Sequence, residues 1–179
     1  MRKIFPLLLK DSFTLAREGL KILLFSIFLS LSSYVKFYTP FSPIPFTAQT
    51  LAVFISVAVL KEKALFSELL WIGMGILGVP VFAGSNILGP SFGYIIGFLG
   101  ASLFLIKFLP SATSFYGYLF LFFSAHIVIY IMGVGGLMFY FGWSIAKAVS
   151  IGVFPFLGED ILKVFAASAF TFIVIQRKL

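Results

Sequence analysis

The stretch GVFPFLGEDILKVFAASAFTFIVI, residues 152–175, decides how this chain is read. A Pro-Phe turn is followed by two acids, a lysine and an unbroken apolar run. About twenty mostly apolar residues cross the hydrocarbon core of a bilayer, so the segment reads as a membrane helix with charges at its opening turn. Acids in a first turn complement the helix dipole, which accounts for Glu159. Asp160 and Lys163 are three apart and share one face. A self-neutralising ion pair is one reading of them. Lys163, however, lies about a turn inside the span, where ionisable groups are costly and face a protein interior or a watery cavity. Asp160 and Lys163 are therefore assigned to function: an acceptor and a cation on one wall, suited to a small ligand with an N–H group and a carboxylate.

The rest of the chain agrees with a membrane setting. It has 179 residues, 61% hydrophobic and only 11% charged, with mean hydropathy +1.13. Soluble domains are about a quarter charged. Continuous apolar runs, rather than alternating ten-residue strands, exclude a transmembrane barrel. The expectation is an all-α polytopic membrane protein of six transmembrane helices in a single domain, 1–179. Residues 1–18 form a cytoplasmic amphipathic lead-in, and 19–176 form the bundle. The spans are about Gly19–Tyr34, Thr47–Leu60, Ala64–Gly78, Ser91–Leu109, Phe115–Phe139 and Gly158–Ile175, with a shorter segment at Trp143–Val153. The second and third are short for a straight crossing, as segments that line cavities are. Gly133, Gly135 and Gly136 mark a weak point in the fifth.

The net charge of +7 is read as topology rather than nucleic-acid binding. With both termini cytoplasmic, Arg2, Lys3, Lys10, Arg17, Lys21, Lys61, Lys63, Lys107, Arg177 and Lys178 fall inside; Lys36, Lys147 and Lys163 fall outside. Three irregular segments then face outward and can meet there: TPFSPIPF (39–46), GVPVFAGSNILGP (78–90) and the turn before Glu159. Cysteine is absent and His126 is the sole histidine, so no metal site or thiolate chemistry is expected. Neither a Walker loop nor an HExxH or GxSxG motif occurs, which argues against an enzyme.

Several polar residues have two readings. Asn86, among Gly and Ser, is a turn residue by its setting. Thr47 is a candidate N-cap of the second span; Gln49 suits a partner or a ligand equally. His126, alone mid-span, reads as packing. Phe82, Phe92, Tyr94 and Phe156 stand out by lying next to the outer loops. Ser26 and Ser30 are small and four apart, which permits close approach of another helix or packing within the bundle.

Three segments together, PIPFTAQTLAVF (43–54), GILGVPVFAGSNILGPSFGYIIGF (75–98) and GVFPFLGEDILKVFAAS (152–168), resemble the BioY family, biotin-binding S components of energy-coupling factor (ECF) transporters. The resemblance implies six helices with a biotin pocket near the outer face. It implies that Asn86 and Asp160 bind the ureido ring, that Lys163 binds the carboxylate or holds Asp160, and that Tyr94 lines the pocket. Gln49, Phe82, Phe92 and Phe156 are possible pocket lining. A T component and two ATPase subunits would supply the energy, so ATP is used by partners and no cofactor is expected in this chain. Ser26 and Ser30 stand where the family has alanines that meet the T component. Ser91 and Phe92 replace a usual Thr and Gly, and GVGG at 133–136 differs from the usual fifth span. The alternatives are an S component for another small vitamin or biotin precursor, and a membrane scaffold without ligand.

Overall fold

The structure is a computed structural model that describes residues 5–84 and 88–176. Seven α-helices occur among them: α1 (Phe5–Ser32), α2 (Gln49–Leu60), α3 (Ala64–Ile76), α4 (Phe92–Phe108), α5 (Phe115–Phe141), α6 (Ile145–Gly152) and α7 (Leu157–Gln176). Arg177 and Lys178 lie outside the described residues. Two segments, Phe92–Ser111 and Phe115–Phe141, are long and apolar enough to cross a membrane by length and composition. At 12 and 13 residues, α2 and α3 reach only about 18–20 Å. Large apolar side chains remain exposed on the outer faces, among them Leu31, Phe120 and Leu162.

Two features differ from the sequence expectation. The lead-in and first span are one 28-residue helix, because nothing between Phe5 and Ser32 breaks it. The fold is also not wholly α. The proline-rich loop contains an antiparallel hairpin of β1 (Lys36–Thr39) and β2 (Ser42–Thr47), paired Lys36 with Thr47 and Phe37 with Phe46. Prolines are tolerated on an edge strand that needs no second ladder of N–H bonds, so Pro43 and Pro45 do not prevent the pairing. Phe46 stacks between Phe37 and Phe156, with ring centroids 4.7 and 4.6 Å away. This seats the hairpin on a small core of Ile44, Phe46, Leu137, Ala148 and Phe156.

The helix ends follow local chemistry. Ser114 caps α5 by accepting from the Gly117 N–H at 3.1 Å, and Gly142 closes it in the left-handed conformation. Thr47 is not the N-cap residue of α2, which is Ala48, although Thr47 Oγ1 accepts from the Gln49 N–H at 3.3 Å. A 3-10 turn, Lys61–Lys63, joins α2 to α3 at the end away from the hairpin. There Lys63 Nζ and Lys21 Nζ each lie 2.7 Å from a Glu18 oxygen, tying this tip to α1.

Gly133 and Gly136 are contacts with α4 rather than a weak point, Gly135 meets nothing, and α5 runs through all three unbroken. The closest crossing is Gly93 on α4 against Gly136 on α5: a Cβ at Gly136 would stand 2.6 Å from Gly93 Cα. Gly133 leaves room for the Tyr94 ring in the same way. The main core lies between α2, α3, α4, α5 and α7, around Phe54, Trp71, Leu105 and Phe122. Within it Glu68 of α3 is fully buried and accepts from Ser102 Oγ of α4 at 2.5 Å.

Ser26 has no exposed surface and faces the bundle; Ser30 is half-buried behind it and donates to the Ser26 carbonyl at 2.9 Å. The outward face of α1 is instead apolar, with Leu23, Leu24, Ile27, Phe28 and Leu31 exposed.

Candidate functional site

The three irregular segments do converge at one end of the bundle. Trp71 Nε1 donates to the Val81 carbonyl at 3.0 Å, which pins the loop after α3 to that helix. From the hairpin, Lys36 Nζ and Tyr38 OH both donate to the Ala83 carbonyl, at 2.5 and 3.2 Å. Tyr34 OH, at the end of α1, donates to Pro80 O at 2.5 Å. Lys36, an isolated basic residue in the sequence, therefore holds two loops together.

Beneath this roof is a partly open cavity whose empty space, counted out to its mouth and including the solvent there, is about 620 Å³. Its apolar wall includes Ile44, Phe82, Ile95, Phe98, Ile129 and Phe156. Its polar wall includes Gln49, His126, Tyr130, Glu159, Asp160 and Lys163.

The first turns of α7 deliver the acids and the lysine. Asp160 is 6% exposed. Its Oδ1 accepts from Lys163 Nζ at 3.0 Å, and its Oδ2 accepts from Tyr130 OH at 2.6 Å. His126 Nε2 lies 2.9 Å from the same Oδ2. Lys163 Nζ is also 2.9 Å from Glu159 Oε1, an ion pair by distance that is off the hydrogen-bond direction. The lysine thus sits between two acids, and three donors hold Asp160. A carboxylate offers about four lone-pair sites, so one remains for a ligand donor. Buried charges are tolerated when paired and hydrogen-bonded in this way.

Of the residues singled out from sequence, Gln49, Phe82, Tyr94, Phe156, Asp160 and Lys163 line this one cavity. Phe92 is not among its lining residues. Asn86 lies outside the described residues. The Tyr94 ring lines the cavity, but its hydroxyl donates to the Gly152 carbonyl at 2.7 Å, so Tyr94 clamps α6 to α4. Glu159, read from sequence as a dipole partner only, is a wall residue ion-paired to Lys163. His126, read as packing, faces Asp160, and Tyr130 was not singled out at all. The two are four apart on α5 and therefore share a face, but the partner they point at is thirty or more residues away in sequence. Only the His/Tyr spacing on an apolar helix hints at the site.

Chemically, the cavity pairs a buried, well-held carboxylate and a cation with a flat aromatic and aliphatic wall. It suits a small, mostly apolar anion that carries N–H donors.

The chain matches the BioY family over residues 6–178. It is 35% identical over 135 residues to the biotin transporter BioY of Thermotoga maritima, covering 72% of this chain and 79% of that one. It is 33% identical over 156 residues to a probable biotin transporter BioY of Pyrococcus horikoshii, covering 80% and 88%. Its fold superposes with a TM-score of 0.81 and 18% identity on the S-component for biotin from an ECF-type ABC transporter, covering 91% of this chain and 93% of that one. The chain that builds this cavity belongs to the BioY family.

Proposed function

We propose that this chain is a biotin-uptake protein, the substrate-binding membrane subunit of an ECF-type transporter, and not an enzyme. The observation that carries the proposal is the cavity in which Tyr130, His126 and Lys163 hold Asp160 beneath the hairpin and the loop after α3. Biotin presents a cyclic urea, an apolar fused ring and a carboxylated chain. The free lone pair of Asp160 accepts one ureido N–H. The aromatic wall covers the rings, and Lys163 either meets the carboxylate or holds Asp160 ready. Asn86 is proposed as a second ureido contact. The similarity to relatives named as biotin transporters supports the choice of ligand.

The bundle crosses the membrane six times, with both termini cytoplasmic and the cavity opening outward. Ten of the thirteen basic residues then lie inside. The Glu18–Lys63 ion pair supports the sidedness, since it joins two of the inward-facing charged segments at the end opposite the cavity. Energy comes from a T component and ATPases that bind ATP, with no cofactor in this chain. Docking uses the outer side of α1. Since Ser26 is buried and Ser30 half-buried, the exposed leucine and phenylalanine side chains beside them make the contact.

Uptake of labelled biotin by cells that express the chain with a T component and ATPases tests the proposal. Accumulation that an excess of unlabelled biotin abolishes supports it. Accumulation of another vitamin but not of biotin would reassign the substrate.

A further inference from the structure

The hydrogen bonds of the cavity leave one acceptor unassigned. A cyclic urea has two N–H donors, and Asp160 has one lone-pair site left once Lys163, Tyr130 and His126 are counted. Asn86, proposed above as a second ureido contact, can donate to the ureido oxygen, and the second N–H then needs another acceptor. His126 is 4% exposed and lines the cavity, and its Nδ1 is buried without a hydrogen-bond partner among the described residues. The ring is fixed in place: Phe54 and Tyr130 pack edge-on against it at 6.0 and 4.6 Å. Because Nε2 faces Asp160 Oδ2 at 2.9 Å, the proton of the neutral imidazole belongs on Nε2 and the lone pair on Nδ1. An unpaired buried acceptor costs free energy unless something donates to it.

We propose that His126 Nδ1 is a specificity-determining ligand contact that accepts the second ureido N–H. The inference rests on the biotin reading given above. Glu159, its charge engaged by Lys163, and Gln49 are the competing acceptors on the cavity wall.

The test is calorimetric titration of the full-length protein in detergent, at one pH, with biotin and with two analogues in which one or the other ureido N–H is replaced by oxygen. His126→Gln keeps a donor near the Nε2 position but has no Nδ1. His126→Gln is expected to bind biotin about fivefold to tenfold more weakly than wild type, one hydrogen bond's worth, and to lose nothing further for the analogue that lacks the N–H meeting Nδ1. His126→Gln binding biotin as tightly as wild type, or losing the same factor for both analogues as for biotin, overturns the inference. If His126→Gln does not fold, His126→Leu is read by the same comparison. Either result leaves the biotin reading standing as long as the wild type binds biotin; no wild-type binding removes that reading as well.

Discussion

Gly136→Ala, compared with Gly135→Ala, measures what the α4–α5 crossing contributes. A Cβ on Gly136 would stand 2.6 Å from Gly93 Cα and 2.7 Å from Gly93 N. Both are backbone atoms, so no side-chain rotation relieves the clash, and the helices must separate. Gly135, one residue away on the same helix, has nothing within 4 Å of the place a methyl would occupy. Each substitution gains about 0.8–1.0 kcal/mol of helix propensity, and this gain cancels in the comparison. What remains is overpacking, about 1–3 kcal/mol, at the upper end here because the neighbour is backbone. Thermal unfolding of the two variants in one detergent reads the difference. Gly135→Ala should melt at or above wild type and Gly136→Ala below it. Biotin affinity should fall with Gly136→Ala, because α4 brings Tyr94 to the cavity and α5 brings His126 and Tyr130. Equal melting of the two variants would refute the close-crossing argument.

Other substitutions separate the parts of the site. Tyr130→Phe removes one of three donors to Asp160; hydrogen bonds to charged groups contribute about 1.5–3 kcal/mol, so biotin should bind roughly tenfold or more weakly in a protein that folds normally. Lys163→Met leaves Glu159 and Asp160 without their shared cation, and a differential melt should show a loss of about 3–5 kcal/mol together with lost binding. Glu18, in the lead-in part of α1, is held down to about 2 from 4.5 by hydrogen bonds from Lys21 and Lys63. A lowered folded-state value means that its contribution is complete above 4.5 and fades as the pH falls toward about 2. Melting temperatures of Glu18→Gln should therefore depend less on pH across that window than those of wild type.

How much of the protein is legible in its sequence depends on the range of the interaction. Asp160 and Lys163 are visible because an ion pair inside an apolar run needs an explanation, and the structure places both on the cavity wall. The meeting of the three irregular segments follows from an even number of apolar spans oriented by the basic residues, and the loop residues Phe82 and Phe156 do share one cavity. The hairpin is hidden because prolines read as irregular loop, while its seat depends on Phe46 meeting Phe156 across more than a hundred residues. Gly133 and Gly136 look like helix weakness until Tyr94 and Gly93 are placed against them. Glu68 shows the same limit. It is an acid within a span, and its use is settled by Ser102 on another helix. His126 and Tyr130 acquire meaning only from their contacts with Asp160, a pairing across thirty or more residues that no local pattern reveals.

The most direct measurement is biotin titration into the purified wild type beside Asp160→Asn, with melting curves for both. Saturable binding by the wild type, lost in a variant that still melts cooperatively, is the predicted result. Undiminished binding by a folded Asp160→Asn would contradict the central claim, because the cavity around Asp160 would then not be where biotin is held.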